Sequence, residues 1–206
     1  MKALALTIML GLVSPGAVSF ASAQSDEPVE RMASGEAEVV DEASFGRASV
    51  LDNLFKSLKE TESLQSAQSI ERAIQSIWMR GDSDTANLMV SWGMRAMRAD
   101  DPERAVRFFS SAIEQEPEFT EAWNKRATAY FVMKDFQSSL EDIRVVLAME
   151  PRHYGALAGL GIIMRQTGRD AEALQAFRAA LAVHPHLEMP SRAVKELAPK
   201  VEGRGI

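Results

Sequence analysis

The sequence has no cysteine, two tyrosines, three histidines and no surplus of positive charge. Without cysteine there is no disulfide, no thiol nucleophile and no thiolate-held metal, whatever the compartment. Lys and Arg total 23 against 29 Asp and Glu, a net charge of −6, so no basic stripe is available to hold a polyanion. The apolar run Ala3–Val13 is only 11 residues long, against about 20 needed to cross a bilayer. The chemical signatures are missing too. No G-x-S-x-G elbow, H-E-x-x-H, S-x-x-K or phosphate loop occurs, so no catalytic residue and no cofactor-binding residue is assigned. What remains is a chain that is 46% apolar, an ordinary fraction for a folded protein.

The chain starts with Lys2, the apolar run, a break at Pro15-Gly16, and small residues at Ala21 and Ala23. That order is the pattern of a cleavable export signal over residues 1–23, with cleavage expected after Ala23. The expectation is a periplasmic protein, or a secreted one, with no stable membrane insertion once the signal is removed. Residues 24–48 carry seven acids against Arg31 and Arg47 and have few large apolar side chains. Such a segment cannot bury enough surface to offset its ordering entropy, so a disordered acidic leader is expected.

From residue 86 the chain repeats itself. Pro117, Pro151 and Pro185 lie 34 residues apart, and a helix normally halts before the residue preceding a proline. Small residues align at the same spacing: Gly93, Ala127, Gly161; Ala105, Ser139, Ala173; Ala112, Val146, Ala180. Large ones align as Met89, Trp123, Leu157 and as Phe109, Ile143, Phe177. Within one unit Trp123, Ala127 and Tyr130 follow an i, i+4, i+7 pattern, and Leu140, Ile143 and Leu147 follow another. The fold class is therefore all-α, with two helices per unit whose backbones approach across the small columns. Asp101-Pro102-Glu103 reads as a helix start and Gly168 as a helix end.

These columns resemble the tetratricopeptide repeat (TPR), whose pattern runs W-x2-L-G-x2-Y, then A-x3-F, then P. The second unit matches at Trp123, Ala127, Tyr130, Ser139, Ile143 and Pro151, and the third at Leu157, Leu160, Gly161, Ala173, Phe177, Ala180 and Pro185. The first matches at Gly93, Ala105, Phe109, Ala112 and Pro117. Arg126 and Trp92 stand in the leucine slot, and Ala96 and Met164 in the tyrosine slot. The resemblance, which extends to exported bacterial proteins of this class, implies a right-handed α-solenoid. The implied units are 86–119, 120–153 and 154–187. Ends of such stacks need covering. Amphipathic stretches near 49–61 and 66–80 are expected to form a degenerate leading pair over 49–85, capping the stack. A short helix over Ser191–Leu197, stopped by Pro199, is expected to close the other end within 188–206, and its last residues are expected to be loose.

The resemblance also implies a function: a protein-interaction scaffold that takes a peptide or a partner's helix on its concave side. Carried over by position, the groove comprises Asn87, Val90, Met94, Met97, Arg98, Asn124, Thr128, Phe131, Ala158, Ile162 and Arg165. An RNA-binding helical repeat is the alternative, disfavoured by the missing basic stripe, and an unrecognised envelope hydrolase is a remoter one. His184 and His186 flank Pro185 without an evident third ligand, so no metal is assigned. His153 is expected to be exposed, and Glu114, Glu116 and Glu118 to form a solvated acidic cluster.

Overall fold

The computed structural model describes residues 42–203, with side chains from residue 46 onward. The export signal, the leader up to residue 41 and residues 204–206 lie outside them. Among the described residues there are nine helices and no strand. They are α1 (Glu42–Glu60), α2 (Leu64–Trp78), α3 (Asp84–Arg98), α4 (Pro102–Gln115) and α5 (Thr120–Val132). Then follow α6 (Phe136–Met149), α7 (Tyr154–Gln166), α8 (Asp170–Val183) and α9 (Glu188–Glu202). None is long and apolar enough to cross a membrane.

Pairs α3–α4, α5–α6 and α7–α8 are the three repeats, and the same local chemistry shapes each. The turn inside each pair uses one left-handed residue: Asp100 (φ 57°), Lys134 (φ 62°) and Gly168 (φ 77°), again 34 apart. Asp101 and Asp135 then cap α4 and α6 by accepting the amides of Arg104 and Ser138. Between repeats the cap amides of Glu116, Glu150 and His184 donate back to the carbonyls of Ala112, Val146 and Ala180, and the prolines follow at once. Lys134 is the one long side chain forced into the left-handed region, which costs a non-glycine residue about 1 kcal/mol. Lys134→Gly is expected to raise stability by up to about that amount in thermal melts.

The small columns do what close packing requires. A Cβ built on Gly93 would collide with the Phe109 ring, and one on Gly161 would lie 2.5 Å from Phe177 Cε1. Phe109 and Phe177 are essentially fully buried. In the middle repeat Ala127 fills the slot, and Ser139 Oγ donates to its carbonyl at 2.8 Å.

The flanking helices depart from expectation in three ways. First, α1 begins at Glu42, so residues 42–48 of the supposed leader are helical. Leu51, Phe55 and Leu58 anchor its buried face, and extending an existing helix adds a hydrogen bond per residue without a new nucleation cost. Second, α9 runs from Glu188 to Glu202 with Pro199 inside it rather than ending at that proline. Ala193 and Leu197 bury one side against the last repeat, and the Gly203 amide donates to the Pro199 carbonyl, so the turn holds despite the missing N–H.

Third, α1 and α2 do not stack on α3 as a preceding repeat would. Their apolar face, Leu51, Phe55, Leu58, Ile74 and Trp78, packs with Tyr154, Val183 and Leu187 along the row of between-repeat turns. The α3–α4–α5 core takes Met79, the C-cap of α2, but no side chain from within α1 or α2. Polar contacts tie the pair and the connection from α2 to α3 to the turns. Glu116 accepts the amides of Asp82 and Ser83 at 2.9 and 3.0 Å. Arg152 donates to Asp52 at 2.6 Å, and His186 Nε2 donates to the Thr61 carbonyl at 2.9 Å.

Candidate functional site

The first helices of repeats two and three, α5 and α7, bound a cleft of about 290 Å³. Five of the expected groove residues line it: Asn124, Thr128 and Phe131 from α5, Ala158 and Ile162 from α7. Gly155 and Gly159 leave its α7 wall bare, and Ile143 of α6 forms part of its floor. The periodicity of the helices brings these residues together, because i, i+4 and i+7 positions share a face.

The other expected residues separate from this cleft. Val90 is 2% exposed and belongs to the α3–α4–α5 core, so its place in the groove is corrected: it lies on the packed side of α3. Asn87 closes the turn before α3, accepting the Gly81 amide and donating to its carbonyl, both at 2.9 Å. Met94 and Met97 are half-buried against the first repeat's core, and Arg98 is exposed in the last turn of α3. Arg165 reaches the opposite way, donating to Glu196 of α9 at 2.7 Å.

Beneath the cleft lies a buried polar cluster that the sequence did not announce. Glu121 is 5% exposed. Its carboxylate accepts from Asn124 Nδ2 at 3.1 Å and pairs with Lys125 Nζ at 2.7 Å and His153 Nε2 at 2.9 Å. Burial pushes this carboxyl up, but the His153 hydrogen bond and the Lys125 charge outweigh it and hold the group at about 2. His153, expected to be exposed, is 2% exposed and caps α7, its Nδ1 accepting the Ala156 amide at 3.1 Å. That leaves the proton on Nε2, pointed at Glu121. The imidazole also stacks on the Trp78 indole with centroids 4.1 Å apart. Glu116 likewise is not a solvated acid, since it holds the two amides that open the approach to α3.

A larger hollow, about 770 Å³, lies between the α1–α2 pair and the turns. Arg47 there is engaged by Asp82, Glu116 by backbone amides and Glu150 by Arg152, while the α5–α7 cleft is lined by no charged side chain and gathers five of the expected residues, which makes it the better candidate despite its size. Among the described residues no three metal-ligating side chains converge.

The residues in the leucine slot of repeat two show why the pattern tolerates change. Arg126 makes a bidentate pair with Asp142, at 2.9 and 2.8 Å, and donates to Ser110 of α4 at 3.0 Å. Trp92 and Phe108 fill the same two positions in repeat one with an edge-on ring pair 5.6 Å apart. An ion pair and an aromatic pair occupy one architectural slot.

Comparison with known proteins agrees with the helical-repeat fold. The tetratricopeptide repeat family model matches residues 90–145 and 125–187. A TPR repeat-containing protein of Rhizobium etli is 37% identical over 153 residues, which cover 74% of this chain and 75% of that protein. The chain belongs to the tetratricopeptide repeat family. Tetratricopeptide repeat protein 36 of Xenopus tropicalis is 34% identical, over 43% of this TPR chain and 46% of its own length. Among solved structures, an Arabidopsis OM64 TPR domain superposes with a TM-score of 0.56 at 23% identity, covering 59% of this chain and all of that one. The first TPR of Spaghetti (RPAP3), bound to the HSP90 peptide SRMEEVD, also gives 0.56, at 17% identity over 59% of this chain and 96% of its own. These likenesses place the TPR fold on the three repeats.

Proposed function

We propose that the protein is a non-catalytic adaptor of the bacterial cell envelope that holds a peptide or a partner's helix in the α5–α7 groove. The observation that carries this reading is the cleft itself. It is apolar, open between two first helices, and edged by one amide, Asn124, whose Oδ1 remains free to accept a peptide N–H. The RPAP3 likeness supports peptide capture in principle, since that TPR is bound to a peptide. The chemistry here favours a different ligand from that acidic heptapeptide. The α7 wall presents Gly155, Ala158, Gly159 and Ile162 and no cation, so the fitting ligand is a neutral segment with an apolar anchor. The envelope assignment rests on the export pattern of residues 1–23.

The test is crosslinking of the full chain in the envelope fraction, followed by titration of the captured protein. Asn124→Ala with Phe131→Ala is expected to weaken capture at least about tenfold, or roughly 1.4 kcal/mol. Unchanged capture by a variant that melts like the parent removes the groove from the function.

A further inference from the structure

Because α1 and α2 lie along the turns, no described helix covers the outer face of the first repeat. The repeat spacing identifies what that face is. Leu88 and Arg95 of α3 stand where α5 has Ala122 and Ala129 and α7 has Ala156 and Ile163. Those four are 0%, 0%, 1% and 1% exposed. In those repeats the second helix of the preceding repeat packs against that side, α4 on α5 and α6 on α7. In α3 the same side is open: Leu88 is 46% exposed and Arg95 is exposed. Between α3 and α4 this face carries a hollow of about 440 Å³ lined by Trp92, Phe108, Arg95 and Arg104. Arg104 lies over the Phe108 ring, 5.5 Å from its centroid.

Charge says what belongs there. Arg95 and Arg104, which line the hollow, make no ion pair among the described residues, and no carboxylate lines the hollow with them. Of the acids at the start of α4, Asp101 is committed to capping it, and Asp100 and Glu103 are exposed outside the lining of the hollow. We infer that this end of the stack is a docking surface for an acidic amphipathic helix of a partner protein, seated where a preceding repeat's second helix would lie. Its apolar side covers Leu88, Trp92 and Phe108, and its carboxylates meet Arg95 and Arg104 as charge-assisted hydrogen bonds. A second copy of this chain does not fit in the two-fold manner, because such a contact pairs the patch with itself and no carboxylate lines the hollow to meet the arginines. This surface lies on α3 and α4 and is independent of the α5–α7 groove.

A displayed library of amphipathic helical peptides about 15 residues long, matching the ~22 Å of a helix such as α3, tests this on the full chain. The expected result is a class of acid-rich binders. Their affinity falls tenfold or more in Arg95→Glu with Arg104→Glu, weakens steeply with salt, and is unchanged in Phe131→Ala. The arginines are exposed, so that variant is expected to fold, and Leu88→Ala with Trp92→Ala serves as the second probe. The inference is overturned if no acid-rich class emerges, if binding ignores both double variants, or if it is Phe131→Ala that abolishes it. It is equally overturned if the full chain self-associates through this face and Arg95→Glu with Arg104→Glu makes it monomeric.

Discussion

Gly161→Leu is expected to be strongly destabilising, while Gly159→Ala on the same helix is expected to be neutral or stabilising. The two glycines face different neighbours. At Gly161 even a Cβ would sit 2.5 Å from the Phe177 ring, which is essentially fully buried and has nowhere to move. A leucine must push α7 and α8 apart, and overpacking of this kind costs roughly 1–3 kcal/mol, with the rigid aromatic contact placing it at the upper end. At Gly159 the nearest atom to a new Cβ is Ile143 Cδ1 at 3.7 Å, an ordinary contact. Alanine there gains up to about 1 kcal/mol of helix propensity. Thermal melts of the two variants read the contrast directly. Equal melting temperatures would contradict the close approach of α7 and α8. Because Gly159 lines the cleft, its alanine variant is also expected to hold a groove ligand differently while folding as well or better.

Glu121→Gln is the second large effect, and its size depends on pH. Folding lowers this carboxyl from 4.5 to about 2, so the folded state binds its proton less readily than the unfolded chain. The resulting stability, about 3 kcal/mol, is fully present above 4.5 and disappears as pH falls from there towards 2. The glutamine variant is therefore expected to lose most of that amount at pH 7 and to converge with the parent in strong acid. Urea unfolding at several pH values measures the gap, and a gap that stays constant down to pH 2.5 would contradict the assignment. Another slope precedes this one in both proteins. Burial pushes His184 below its usual 6.5, against the pull of Glu71, 3.5 Å from its Nε2 but without the alignment of a hydrogen bond. His186 beside it opposes its charging, Tyr154 packs edge-on to it from α7, and Glu188 of α9 lines the same small hollow. A histidine depressed by folding subtracts stability as pH drops through 6.5, so acid weakens the seam with α2 first.

Much of the three-repeat core is legible in the sequence because it depends on residue size at fixed spacing. Gly93, Ala127 and Gly161 must be small wherever two helices cross closely, and the prolines must fall where the chain reverses. The position of α1 and α2 was not legible. Their amphipathic pattern shows that one face is buried, but Tyr154, Val183 and Leu187 become its partners only once the turns of different repeats line up in space. His153 and Glu121 were hidden for the same reason. They are 32 residues apart, and local pattern gives a turn histidine no partner until the α5 start and the α7 start are adjacent. Five of the expected groove residues fall together on one cleft, because Asn124, Thr128 and Phe131 share one face of α5 and Ala158 and Ile162 one face of α7. Val90 failed because the apolar residues of a helix buried on two sides do not reveal which side is the core.

The hairpin of α1 and α2 has a mechanical consequence. A stack of repeats touching only their neighbours behaves like a spring, and its curvature changes by small rotations at each junction. Here the hairpin and the connection that follows it are fastened to all three junctions, through Glu116, through Arg152 with His153, and through His184 with His186. Stretching or twisting the spring would shear those fastenings together, so the hairpin works as a splint. The cleft between α5 and α7 is thereby expected to keep a set width, so that the proposed groove ligand would meet a rigid mould rather than a surface that closes around it.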